Sequence, residues 1–158
     1  SYIEARPDSA LAVLEGIDKS ELTSKELEAK YALLLSQALD KNYIDVTDDS
    51  LASVALDYFS RKGPEKYEVR SRYYLGLSYF YAGDLSNSIL ETTKAEEVAE
   101  KSDSLYWGFI KVLQADIYSK THNDVEESRA LMQAVEVYKD IKSDYYLMVV
   151  VYFKLNLS

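Results

Sequence analysis

Leu75-Gly76-Leu77-Ser78-Tyr79, followed by Gly83-Asp84, is answered about forty residues on by Ala115-Asp116-Ile117-Tyr118, followed by Asn123-Asp124. Working outward, Lys101-Ser102-Asp103 recurs as Lys142-Ser143-Asp144 at a spacing of 41, while Gly83 to Asn123, Asp84 to Asp124 and Ser88 to Ser128 are 40 apart. A unit of that length cannot bury its own apolar face and must stack on its neighbours, so the repeat predicts a solenoid of paired helices. In such an array, function means binding.

Composition agrees with a single globular domain over residues 1–158, since 47% hydrophobic and 28% charged residues suit neither a disordered tail nor a membrane core. Stability should depend on repeat number. The balance of 27 acidic against 18 basic residues, a formal charge of -9, opposes approach to a phosphate backbone and argues against direct nucleic-acid binding. Arg61, Lys62, Lys66, Arg70 and Arg72 form no basic patch, because Glu65 and Glu68 share their helices; they read as solvated faces with local ion pairs. The chain has no cysteine, which removes disulfides and thiolate metal sites and leaves the redox compartment open.

Helix boundaries are marked by few breakers. Gly63-Pro64 suits a helix end followed by a helix start, and Gly83-Asp84 closes another pattern. Thr23 with Glu26 and Asp124 with Glu127 have the spacing of a cap and a returning carboxylate. Eight helices are therefore predicted, near 8–17, 23–41, 49–62, 65–82, 85–101, 104–121, 125–141 and 143–157. Strand competes only at Met148-Val149-Val150-Val151-Tyr152-Phe153, where β-branched and aromatic residues crowd, but a lone strand would have no partner for its backbone. The apolar run from Tyr145 to Phe153 is far shorter than the roughly 20 residues a bilayer requires, so no membrane insertion is expected of it.

Leu75-Gly76, Tyr79 and Gly83-Asp84, with Ala95 in the following helix, resemble the tetratricopeptide repeat. A second unit at Ala115, Tyr118 and Ala134 is degenerate, and a third near Tyr31 is looser. The family's usual unit is about 34 residues, so longer helices or loops must absorb the difference. The resemblance implies an all-α, right-handed superhelical solenoid of antiparallel helix pairs whose first helices line a concave face. The long period and the opening Tyr2-Ile3-Glu4-Ala5-Arg6-Pro7-Asp8-Ser9-Ala10-Leu11 also resemble the repeat regions of bacterial membrane-anchored regulators and lipoproteins. That likeness implies a signal or lipid anchor before Ser1, an effector region after Ser158 and an extracytoplasmic location, with a cytoplasmic one as the alternative.

Catalysis finds no foothold. His122, the single histidine, sits in the predicted turn Thr121-His122-Asn123-Asp124 with no nucleophile and orienting partner set by a motif. Asp45-Val46-Thr47-Asp48-Asp49-Ser50 begins like a calcium loop but has Ser50 where glycine belongs and Leu56 where a bidentate glutamate is required, so helix capping accounts for it. Neither cofactor nor metal is expected.

Tyrosine is the distinctive residue, fifteen against four phenylalanines and one tryptophan. Aligning Gly76 and Tyr79 to the family motif implies that Tyr73, Tyr74, Leu77, Phe80 and Tyr81 lie on or beside the concave face, with Asp116 and Lys120 on the helix next to them. Tyrosine offers contact area and a polar tip at small entropic cost, which suits peptide recognition; aromatic residues at helical spacing also serve as plain packing. Both readings stand for this set. Small residues at Gly76, Ala95 and Gly108 should let helices approach closely. The last helix carries apolar residues on nearly all sides with no second helix after it, which predicts an exposed face, a natural continuation past Ser158 and, for this stretch by itself, coverage of the face by crystal contacts or by self-association, most simply a two-fold homodimer. The expected function is a non-enzymatic protein- or peptide-binding scaffold; the alternative is the small-ligand sensory arm of a larger regulator.

Overall fold

The computed structural model describes residues 1–155. Two short helices, α1 (Tyr2–Ala5) and α2 (Pro7–Glu15), and a 3-10 turn at Lys19–Glu21 lead into α3 (Lys25–Lys41). There follow α4 (Ser50–Lys62), α5 (Glu65–Tyr81), α6 (Leu85–Ser102), α7 (Ser104–Lys120), α8 (Asp124–Asp140) and α9 (Asp144–Val149). A π-helical turn over Val150–Lys154 continues α9, so the competing strand at Met148 to Phe153 is helical. The predicted helix end at 157 lies outside the described residues. The turn α1 is an addition to the expected set: Ser1 opens it by accepting from the Glu4 amide, and Pro7 then starts α2 at the position where its missing N–H costs nothing.

The fold is all-α, and its repeat is clearest at the helix ends. Ser24, Pro64, Asp103 and Ser143 precede α3, α5, α7 and α9, which gives steps of 40, 39 and 40. After α3, α5 and α7 the chain turns through a residue with positive φ: Tyr43 at 57°, Gly83 at 82° and His122 at 57°. In each case the next amide reaches back over the turn, from Ile44 to Leu39, Asp84 to Tyr79 and Asn123 to Tyr118. His122 is thus the counterpart of Gly83, and the second step is one residue shorter than the sequence spacing of Gly83 to Asn123 suggests. The phase assigned to Ser128 fails for the same reason: Ser88 is buried and donates to the Gly76 carbonyl at 2.7 Å, whereas Ser128 is exposed. Two predicted caps also move by one residue. Ser24, not Thr23, accepts from the Leu27 amide, and Asn123, not Asp124, accepts from that of Glu126.

Consecutive helices pair as hairpins, α3 with α4, α5 with α6 and α7 with α8, while α5 also touches α3 and α7 along one side. Equivalent small residues make these approaches possible. Ser36, Gly76 and Ala115 occupy one position in three successive units, and all are buried. Ala95 and Ala134, an equivalent pair on α6 and α8, have no exposed surface. A main core runs from α3 to the π turn, and a satellite of Ile3, Ala10, Leu14 and Ala38 fixes α1 and α2. Asn42 adds a polar tie there by donating to the carbonyls of Pro7 and Ala38. Arg70 pairs with Asp103 at 2.8 Å, and Arg72 bridges Glu68 and Glu91; only the Arg72–Glu68 pair is local, and the other two are part-buried ties between helices where solvated faces were expected.

The last helix behaves as half of a unit. Val150 is buried, while Tyr145, Met148, Tyr152 and Phe153 are exposed. Among the described residues no helix is long and apolar enough to cross a membrane.

Candidate functional site

On the side where α5 touches α3 and α7, α9 meets the end of α3. Tyr146 is the meeting point. Its hydroxyl accepts from the Lys41 ammonium, which also lies 3.4 Å from the Glu4 carboxylate. Its ring packs edge-on against Phe109, with centroids 4.8 Å apart, and beside Tyr138 at 5.6 Å. Farther along, Lys154 closes on Asp116 at 2.8 Å.

These contacts leave a cavity of ≈ 180 Å³ lined by Asp40, Lys41, Tyr73, Phe109, Val112, Tyr138, Tyr146, Val149 and Val150. A smaller recess of ≈ 20 Å³ adjoins it through Asp40 and is lined also by Ser36, Tyr74, Leu77, Ser78 and Tyr81. Its volume suits a single water-sized group. The larger cavity is mostly ring and branched alkyl surface. Its one acidic group, Asp40, takes no hydrogen bond among the described residues. Burial holds the Asp40 carboxyl above its usual pKa, Lys41 opposes that shift, and Asp45 and Glu4 add to it. For Lys41, burial works against the charge, but the Tyr146 hydroxyl and Glu4 together hold its ammonium above the ordinary value. Burial also pushes the Tyr73 and Tyr138 hydroxyls up, so both stay neutral donors.

The expected groove residues divide three ways. Tyr73 lines the cavity. Tyr74, Leu77 and Tyr81 line the recess, and burial raises the Tyr81 hydroxyl to about 12. Tyr74 is also a core residue: it is 3% exposed, and its hydroxyl shares a 2.6 Å hydrogen bond with that of Tyr106. Phe80 packs edge-on against Tyr81 and lines neither space. Asp116 is engaged by Lys154, and Lys120 is exposed in the last turn of α7, outside the cavity.

Asp40, Lys41, Phe109, Val112, Tyr138 and Tyr146 were not legible as a group. The repeat register carried a usable signal for three of them: stepping back 40 from Phe80 and Tyr81 reaches Asp40 and Lys41, and stepping forward 39 from Tyr73 reaches Val112. Tyr138 and Tyr146 required the long-range contact of α9 with the end of α3. Elsewhere, Asp48 accepts from the Ser50 amide at 2.7 Å in the turn that opens α4, whose N-cap residue Asp49 makes no side-chain cap bond, and His122 is a left-handed turn residue. Among the described residues no three His, Asp or Glu side chains converge as a metal site would. Comparison of the chain with protein-family models, with curated proteins and with solved structures yields no match.

Proposed function

We propose that this protein is a non-enzymatic binding module of the tetratricopeptide type, taking a peptide or protein segment on the face shared by α3, α5, α7 and α9. The observation that carries this reading is the concentration of rings and of one carboxylate without a side-chain hydrogen bond in a single cavity on that face. Such a combination gives contact area together with a polar point of register, which is how recognition surfaces obtain specificity. The equivalent small residues Ser36, Gly76 and Ala115 support the family likeness.

Selection of a displayed random-peptide library against the protein tests it. Enriched peptides should shift amide resonances of α3, α5 and α7 and should lose binding to Val112→Glu, which puts a charge into the cavity wall. Shifts confined to α6 and α8, or peptides indifferent to Val112→Glu, would contradict the proposal. The cavity's size supports a second reading, the sensory arm of a regulator, because ≈ 180 Å³ accommodates a small molecule or one side chain and not a length of backbone. Thermal stabilisation by small molecules, abolished by Val112→Glu, would favour that reading over the first.

A further inference from the structure

We propose that the inner cavity takes an alkylammonium group, from a free amine or from a partner's lysine side chain, with Asp40 as its charge partner and the rings of Tyr73, Phe109, Tyr138 and Tyr146 around its stem. This rests on the binding face proposed above and specifies its ligand chemistry.

Three observations converge on a cation. The first is charge balance. Lys41 already has partners, the Glu4 carboxylate at 3.4 Å and the Tyr146 hydroxyl, so its charge is compensated within the fold. Asp40 lines the same cavity with no side-chain hydrogen bond among the described residues, and the cation that faces it, Lys41, is the one already shared by Glu4 and Tyr146. A partly buried carboxylate whose facing ammonium is shared with a second carboxylate is under-compensated, and a further cation entering beside it recovers part of that cost.

The second is a precedent inside the molecule. The Lys41 ammonium stands 5.2 Å from the centroid of the Phe109 ring and 4.9 Å from that of Tyr146. The faces of this cavity therefore already hold a primary ammonium, through the attraction of a cation to an electron-rich ring. The third is shape and field. Val112, Val149 and Val150 complete the wall, so the space beyond the charge suits methylenes and not a second polar head. The formal charge of -9 and the nearby Asp45 and Glu4 draw cations toward this end of the stack. An anion has only Lys41 to address, and would have to displace Glu4 from it.

NMR titration of the whole chain at neutral pH and constant ionic strength decides the matter. The probes are n-butylammonium chloride, 1-butanol and sodium butyrate, together with a blocked Gly-Gly-Lys-Gly-Gly peptide and its norleucine counterpart. Saturable shifts at Asp40, Tyr73, Phe109 and Tyr146 are expected with n-butylammonium, with the lysine peptide or with both. Binding of n-butylammonium alone identifies a free amine as the ligand, and tighter binding of the peptide identifies a side chain. Affinity should fall about tenfold or more in Asp40→Asn, the loss expected when a charged partner is removed. It should disappear in Val112→Trp, which fills the cavity; melting curves establish that both variants are folded. Equal binding of butanol or of the norleucine peptide, tighter binding of butyrate, unchanged affinity in Asp40→Asn, or no saturable shift with either cationic probe would each overturn the proposal. Peptides that bind this face independently of Asp40 would overturn it while leaving the scaffold reading in place.

Discussion

Two residues show how strongly this fold depends on small volumes and on one charge. A Cβ at Gly108 would stand 2.4 Å from a ring carbon of Tyr138, while one at Gly76 would stand 3.1 Å from the Thr92 methyl and 3.5 Å from the Ser88 carbonyl. The first contact forces a buried ring to move, and the second asks for a few tenths of an ångström. Gly108→Ala should therefore cost more than Gly76→Ala, about 1–3 kcal/mol, and Gly76→Leu should reach a similar range through overpacking. Denaturant titration of the three variants checks the order; equal stability of Gly108→Ala and the parent would contradict the packing of Tyr138. Asp40 gives the opposite sign. Its folded pKa lies above the ordinary 3.8, so between those two values the folded chain holds more proton than the unfolded one. Stability then falls as pH rises through that window, and the penalty persists at neutral pH. Asp40→Asn should raise Tm at pH 7, on the order of a few degrees, with the gain vanishing below about pH 4, where both states are protonated. Lys41, Glu4 and Asp45 face the same carboxylate and are retained in that variant. A side chain that destabilises its own fold is a common mark of a binding or reactive position.

At the level of elements, the long central helices were the most legible part of the chain because each has both a periodic apolar face and a breaker or cap at its ends. Boundaries at α5 and α7 fell within a residue of expectation, and the two displaced caps have one cause. Thr23-Ser24 and Asn123-Asp124 each offer two adjacent capping side chains, and spacing to a downstream glutamate does not decide between them. The backbone decides, through which residue leaves the helical conformation. The candidate site was far less legible, since Tyr73 and Lys41 are separated by a full unit and Tyr146 enters from the far end of the chain. The C-terminal element has the exposed apolar face expected of it, but Val150 belongs to the covered side: Val150 is 1% exposed, whereas Phe153 is 75% exposed. Val150→Glu consequently probes docking of α9 and not an outer surface. A buried unpaired carboxylate would be relieved by α9 detaching, so the cost is capped at the docking energy, roughly 2–4 kcal/mol from reburial of Val150 and Tyr146. Circular dichroism should show a small loss of helix with α5 to α8 intact; a variant as stable as the parent, with α9 resonances unchanged, would show that α9 does not depend on Val150.

Across the whole molecule, the ends of the stack communicate in a way that an open repeat array does not allow. Where each unit touches only its neighbours, a change in one unit is felt by the next and fades beyond it. Here Lys41 on α3 is bonded to Tyr146 on α9 and paired with Glu4 on α1, so three elements separated by most of the sequence share one ammonium. Removing that charge while keeping the stem, as in Lys41→Met, leaves the Tyr146 hydroxyl and the Glu4 carboxylate without their common donor and joined only by the long 3.4 Å hydrogen bond that the hydroxyl donates to Glu4. The units between them retain their own packing, including the Tyr74–Tyr106 hydroxyl pair and the Arg70 ion pair with Asp103. Amide hydrogen exchange in Lys41→Met should therefore quicken in α9 and α1, with α5, α6 and the first half of α7 close to the parent. Local opening of this kind is read directly from exchange, because terminal elements open below the global stability while the core does not. Exchange that quickens only in α3 and α4 would mean that the chain is an open stack and that the contact across 105 residues carries no coupling.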